Sequence, residues 1–512
     1  MRKSIFQNKF LTVFVVAFSL MIAVVNVLCP MDNAVSVSAD SGVKEITVFS
    51  WEDYIDEGYD SADEASEYLA ENYSKEQIES SVIDIFMEEN PDVKVNYYSF
   101  ATNEEMYNEL LKDPTAVDLI CPSEYMIMKM RDENLIKPYK MPQNYIDYGS
   151  PYIKGVFEQL GLNNSDGTTY AIGYMWGTMG LIYNAEREDI SDEDFKHWAN
   201  LFDEKFKGKI TIKDSLRDSY IMAVAIVHEQ LLLDYKEKLN SGEIDEKAYT
   251  DALFNIFNDT SEETVHEVRD VLVELKRNLF GFEVDAGKND LLSGKIDVNF
   301  AWSGDAVYSM WEADEAGKQL RYVVPEEGSN VWFDGWVMTK DADEESALKF
   351  LNFLSRPDVA VRNMDYVGYT SCIGGDTVFD YVSYNFDEGE GNHVDLKYFF
   401  DPSDTAGKYQ ILTTETNRHL YAQYADEETI MRCAVMDNFS VEDLELVNEM
   451  WNEVKLITFT NLTTILIVVG IVLIITAVVL YKYKEKIFGV KISDKDRKIK
   501  KGLKIIKKEN IV

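Results

Sequence analysis

Between Leu456 and Tyr481 the chain runs for 26 residues without one Asp, Glu, Lys or Arg. At about 1.5 Å per residue a helix of that length spans the roughly 30 Å of a bilayer's hydrocarbon with some tilt. A buried core helix this long would show a polar stripe, and this run shows none. Lys482, Lys484 and Lys486 follow at once, and the tail 482–512 holds 12 basic against 4 acidic residues. The positive-inside bias puts that tail in the cytoplasm, where anionic lipid would hold it, and everything before the run outside. A second apolar run, Leu11 to Leu28, follows Arg2, Lys3 and Lys9. That is the layout of a secretory signal over 1–39, with Val37-Ser38-Ala39 as the cleavage site; an uncleaved anchor is the alternative.

The segment 40–481 carries 86 acidic and 35 basic residues, a net charge of −51. Such a field repels phosphates and excludes a nucleic-acid partner. Its aromatic content, drawn from 30 Tyr, 26 Phe and 8 Trp in the whole chain, is that of a folded body. Short strand-like runs recur at 45–49, 93–97, 117–120, 209–212, 296–300 and 321–324. Helical patterns lie between them, at 105–111 and at 344–354, the latter with Asp343 as N-cap and Ser355-Arg356-Pro357 as its stop. This alternation predicts an α/β body with mostly parallel sheets. The acidic stretches 57–75 and 229–263 read as solvated elaborations.

Catalysis finds no support. Phosphate-cradling, zinc-protease and nucleophile-elbow motifs are all missing. His197, His228, His266, His393 and His419 are scattered without metal-ligand spacing. No metal and no cofactor is therefore expected. The four cysteines (Cys29, Cys121, Cys372, Cys433) make no framework, although Cys372 and Cys433 could pair outside the cell.

What stands out is a set of aromatic residues beside carboxylates or hydroxyls, most of them at strand ends. Trp51-Glu52-Asp53-Tyr54, Ser123-Glu124-Tyr125, Trp302-Ser303-Gly304-Asp305 and Trp332-Phe333-Asp334 form it. Ligands of open α/β sheets sit off the carboxyl ends of strands. Carboxylates pair with ammonium groups while indole and phenol rings cover methylenes, so the combination suits a cation with an apolar stem.

At these residues the chain resembles the spermidine/putrescine-binding proteins that serve polyamine ABC transporters, from Glu45 to about Lys455. Ser50-Trp51-Glu52-Asp53-Tyr54, Asn103-Glu104-Glu105-Met106-Tyr107, Asp118 to Tyr125, Tyr174-Met175-Trp176-Gly177, Lys213 to Asp218, Phe353 to Ala360 and Val367-Gly368-Tyr369 carry the resemblance. It implies a two-lobed periplasmic-binding-protein fold (type II-like) that closes by a hinge. Lobe one would be 45–181 with 333–378, and lobe two 182–332 with 379–450. Trp51, Tyr54, Ser123 and Tyr125 would line the lobe-one wall, and Trp302 and Trp332 would sandwich the methylenes. Asp334 and Asp218 would pair the amines, and Tyr369 would add a hydroxyl. Two departures matter: Ser215 stands where well-known members have an aspartate, and Glu52, replacing a Thr, would restore that charge. The ligand position expected near Met436-Asp437 does not align.

The resemblance implies an extracellular polyamine receptor, tied to the membrane by 456–481, delivering its ligand to a permease. Two alternatives stay open: the same fold holding another organic cation, an amino-acid derivative or a metal chelate, and a tethered sensor or adhesin without a transport role.

Overall fold

The computed structural model describes residues 42–415, 418–457 and 473–480. The expected signal segment 1–39, most of the expected span 456–481 and the basic tail 482–512 lie outside the described residues. Among the described residues no helix is long and apolar enough to cross a membrane. Residues 473–480 are helical, with Leu473, Ile474, Ile475 and Val478 exposed.

One sheet of eleven strands organises the body: β1 (Lys44–Trp51), β2 (Val93–Phe100), β3 (Leu119–Ile120), β4 (Ile136–Lys137), β5 (Ala171–Asn184), β6 (Ile210–Lys213), β7 (Leu279–Glu283), β8 (Val298–Trp302), β9 (Leu320–Val323), β10 (Val331–Thr339) and β11 (Thr370–Ser371). Its order is β2-β1-β3-β10-β5-β8-β6-β7, with β4 on β10 and both β9 and β11 on β5. The outer groups, β2-β1-β3 and β8-β6-β7, are parallel. The centre is antiparallel, because β10 pairs against both β3 and β5, and β5 against β8. The expected mostly parallel sheet is thus corrected to two parallel wings joined by antiparallel crossing strands. β5 makes the crossing: residues 171–178 pair with β10 and residues 179–184 with β8 or β9. All but the last of its 14 residues are buried, so it shows no alternation.

The nine helices used below are α1 (Asn103–Lys112), α2 (Glu124–Asp132), α3 (Leu216–Val227), α4 (Glu229–Ser241), α5 (Glu246–Phe257), α6 (Glu262–Leu275), α7 (Ser303–Glu315), α8 (Glu344–Leu354) and α9 (Val441–Leu456). α8 spans the expected residues, but Asp343 makes no side-chain cap bond to its backbone. Its carboxylate instead accepts from the Ser346 hydroxyl at 2.9 Å and lies 3.4 Å from the Lys44 ammonium. α9 lies against α6, and Lys276 ties its end down by donating to the Val454 and Ile457 carbonyls, both at 2.8 Å.

Two further expectations are corrected. The acidic stretches are amphipathic rather than merely solvated: Tyr68 and Leu69 are buried in the first, and Leu232, Tyr249, Leu253 and Phe257 in the second. Cys372 and Cys433 do not pair; with Cys121 they are buried free thiols. Cys372 packs against Gly173, and Cys433 donates to the Thr429 carbonyl at 3.3 Å.

Candidate functional site

Asp334 sits inside β10 at a register shift that separates it from Gly335. The irregularity sets its carboxylate opposite Ser123, at the start of α2. The Ser123 hydroxyl donates to Asp334 at 2.8 Å and the Tyr54 hydroxyl donates at 2.7 Å. Asp334 is only 6% exposed and makes no ion pair among the described residues. Burial pushes its carboxyl up to about 6, and the two hydroxyls offset part of that rise. A buried carboxylate held by neutral donors is prepared for a cation.

Supporting contacts fix these groups. Tyr174 donates to the Tyr54 carbonyl at 2.7 Å, and the two rings meet edge to face. Asn103 donates to both the Ser123 and Tyr125 hydroxyls, at 3.1 and 2.9 Å. Glu124 is fully buried beside Asp334, and burial pushes its carboxyl up to about 8. One of its oxygens accepts from the Phe333 backbone N–H at 3.1 Å, and the other has no hydrogen-bond partner.

The second wing supplies the opposite wall from the carboxyl ends of β6, β7 and β8, which carry Lys213, Glu283 and Trp302. Asp218 lies in the first turn of α3, where the Ser215 side chain caps the helix by accepting from the Asp218 N–H at 3.4 Å. Burial raises the Asp218 carboxyl; the Ser215 hydroxyl, Lys213, Arg217 and the Trp302 indole N–H pull it back. Asp305, in the first turn of α7, accepts from Lys213 at 3.1 Å and from Tyr369 at 3.1 Å.

Tyr369 joins the walls. Its ring meets Trp332 and Tyr54 with centroids 5.7 and 5.6 Å apart. Two glycines make room for this packing. A Cβ on Gly304 would fall 2.5 Å from the Tyr369 ring, and one on Gly177 would fall 2.7 Å from the Trp332 indole. The Trp332 indole N–H is buried without a partner. Arg217 makes a second crossing, its guanidinium 3.9 Å above the Tyr125 ring and 4.3 Å from Phe439. It also donates to the Asp437 carbonyl at 2.8 Å, so the unaligned Met436-Asp437 region reaches this end through backbone.

The expected residues therefore fall into three groups. Tyr54, Ser123, Tyr125, Asp334, Trp332 and Tyr369 form one connected cluster, and Ser215, Asp218 and Trp302 form a second, linked to it through Asp305 and Tyr369. Trp51 and Glu52 border a cavity of about 350 Å³ with Tyr54, Tyr97 and Ser99, and Tyr54 joins it to the first cluster. Glu52 is exposed there, and no contact joins it to Ser215. Asn103, Glu124, Lys213, Arg217, Glu283 and Asp305 were not anticipated as site residues; five of them lie within the quoted motifs. Away from the site, His197 Nδ1 and a carboxyl oxygen of buried Glu327 share a 2.7 Å hydrogen bond, and Glu229 lies 4.0 Å from the same ring nitrogen.

Residues 81–374, more than half of the chain, match the family model described as bacterial extracellular solute-binding protein. The spermidine/putrescine-binding periplasmic protein of Escherichia coli is 29% identical over 282 residues, covering 54% of this chain and 70% of that protein. The putrescine-binding periplasmic protein PotF of the same organism is 25% identical over 337 residues, covering 64% and 78%. A solved Listeria monocytogenes chain overlays 81% of this chain and 99% of its own length, at 25% identity and a TM-score of 0.55.

Proposed function

Because the chain belongs to the bacterial extracellular solute-binding proteins, we propose that it is an external polyamine receptor that hands its ligand to the permease of an ABC transporter. The observation that carries this reading is Asp334: a buried carboxylate with two hydroxyl donors, aromatic walls and, among the described residues, no cation paired with it. The names of its relatives, spermidine/putrescine- and putrescine-binding, support the same ligand class.

A polyamine is protonated at neutral pH, and its ammonium groups are costly to bury unless each is paired. One ammonium donates to Asp334 and the other reaches Asp218, while Trp332 and Trp302 cover the methylenes between. The spacing of the two carboxylates then reads chain length. Lobe one (45–181 with 333–378) and lobe two (182–332 with 379–450) close about the crossing strands, because the ligand touches both at once. In this reading the uncharged run 456–481 is a single span that keeps the receptor beside its permease at raised effective concentration.

Calorimetric titration of the purified protein with putrescine, spermidine and spermine at fixed ionic strength, against sodium chloride controls, tests the reading. Saturable one-to-one binding of at least one amine is expected. Dilution heats alone for all three would overturn it.

A further inference from the structure

Lys213 closes β6, yet it is only 1% exposed. Its ammonium donates to the Val284 carbonyl at 2.8 Å and to Asp305 at 3.1 Å, and it lies 3.2 Å from a Glu283 oxygen. It also sits 4.1 Å from the centre of the Trp302 ring. Two carboxylates, a carbonyl and an aromatic face are the partners an amine ligand would seek. We propose that Lys213 is a resident ammonium filling one cation position of the site, and that it makes the site select ligands with two ammonium groups over ligands with three or more. This rests on the polyamine reading above and deepens it by naming the number of charges.

The charges facing the site support that number. Lys213 pairs with both Asp305 and Glu283, and Lys288, which pairs with Asp285 at 2.6 Å, also lies 3.5 Å from Asp305. Arg217 makes no ion pair among the described residues; it stacks over Tyr125, whose hydroxyl donates to Glu104 at 3.2 Å, and the guanidinium charge is felt by Glu104, Glu124 and Asp218 together. Three buried acids remain without an ion pair among the described residues, Asp334, Asp218 and Glu124; burial lifts the Glu124 carboxyl to about 8, so it keeps its proton at neutral pH, and Asp218 feels Lys213 and Arg217 without pairing with either. A diammonium guest neutralises Asp334 and Asp218. A third ammonium reaching the Trp302 face would meet the Lys213 charge there, with Asp305 and Glu283 already engaged. Lys213 cannot simply vacate the position, because β6 is paired on both sides, by β7 and β8. If Lys213 were only a brace between strand ends, its removal would weaken every ligand alike.

The experiment is calorimetry of the full chain and of Lys213→Met, which keeps the apolar stem and removes the charge, with putrescine and spermidine at one ionic strength. The wild-type chain should bind putrescine at least about tenfold tighter than spermidine. In Lys213→Met the ratio of spermidine affinity to putrescine affinity should rise about tenfold or more over the wild type. Equal affinities or a spermidine preference in the wild type, or equal losses for both amines in the variant, would overturn the proposal. If the variant does not fold, as judged by circular dichroism, the wild-type ranking alone decides in the same two directions. Absence of binding by either amine would remove the polyamine reading and this proposal with it. Binding of both without preference would remove only the charge count.

Discussion

Asp334→Asn removes a charge while nearly preserving shape, so its effects on stability and on binding should have opposite signs. In the ligand-free protein burial lifts the Asp334 carboxyl from 3.8 to about 6. At 1.36 kcal/mol per unit, holding it ionised at neutral pH costs about 3 kcal/mol. Because the folded state binds this proton more tightly than the unfolded chain, stability falls as pH rises between about 4 and 6, and the penalty is complete above 6. Asparagine escapes that penalty but can accept only part of what Tyr54 and Ser123 donate, which returns about 1–2 kcal/mol. The variant should therefore unfold at a higher temperature than the wild type at pH 7 and lose that advantage at pH 4. Binding should move the other way: an ammonium deprived of its counter-charge loses about 2–5 kcal/mol, roughly 30-fold to several-thousand-fold in Kd. Wild-type affinity should also drop about tenfold per pH unit below 6, where the ligand must displace the proton, while the variant, left with Asp218 alone to titrate, falls less steeply there. Calorimetry and thermal melts from pH 4 to 8 measure both. A variant that binds putrescine within about threefold of wild type would refute the assignment of Asp334 as the ammonium partner.

Three further perturbations probe the surroundings. Arg217→Ala removes the cation stacked 3.9 Å above Tyr125 across the site. Dissociation in stopped-flow should accelerate by an amount equivalent to about 0.5–2 kcal/mol, and an unchanged rate would show that the stack does not hold the lobes closed. Gly304→Ala places a methyl 2.5 Å from the Tyr369 ring; it should destabilise by about 1–3 kcal/mol and weaken binding, contrary to the usual gain from alanine in a helix, and an unchanged or raised Tm would count against the packing. Glu124→Gln replaces a carboxyl that burial lifts to about 8. The folded state keeps that proton while the unfolded chain loses it above about 4.3, so the wild type loses stability as pH rises towards 8 and the variant should gain on it by a few kcal/mol between pH 5 and 8 in urea unfolding. Parallel curves would contradict the buried position.

The parts of the fold legible in the sequence are those set by neighbours in the chain. β1 shows its alternation directly, with Ile46 and Val48 fully buried and the residues between them less so. α8 begins and ends where Asp343 and Pro357 place it. Strand direction at the centre was not legible, because β5 is apolar along almost its whole length and a run without period says nothing about its partners. The site divides in the same way. Asp334, Tyr54 and Ser123 lie together in space, the Ser215 hydroxyl caps a helix, and Glu52 is exposed beside the cavity that Trp51 and Tyr54 also line. Lys213 heads one of the quoted stretches, yet nothing there marks it as a buried charge: one lysine ending a short strand reads as a solvated edge, and its partner Asp305 lies 92 residues away. Only the convergence of three strand ends makes that lysine a buried charge.

The same convergence separates attraction from selection. A net charge of −51 over 40–481 draws in any cation. At physiological ionic strength that field decays over about 8 Å, so it raises encounter rates and says little about which amine stays. Discrimination has to arise where water is excluded and each charge must be answered locally. There the protein has already answered most of its own acids: Asp305 and Glu283 are engaged by Lys213 and Lys288, and Asp56 by Arg362. The surface can therefore be strongly acidic while the slot leaves Asp334 and Asp218 to be matched, Glu124 beside them keeping its proton. Raising salt should slow association of every amine yet leave their order of affinity unchanged, because the order depends on the two charges that salt cannot reach.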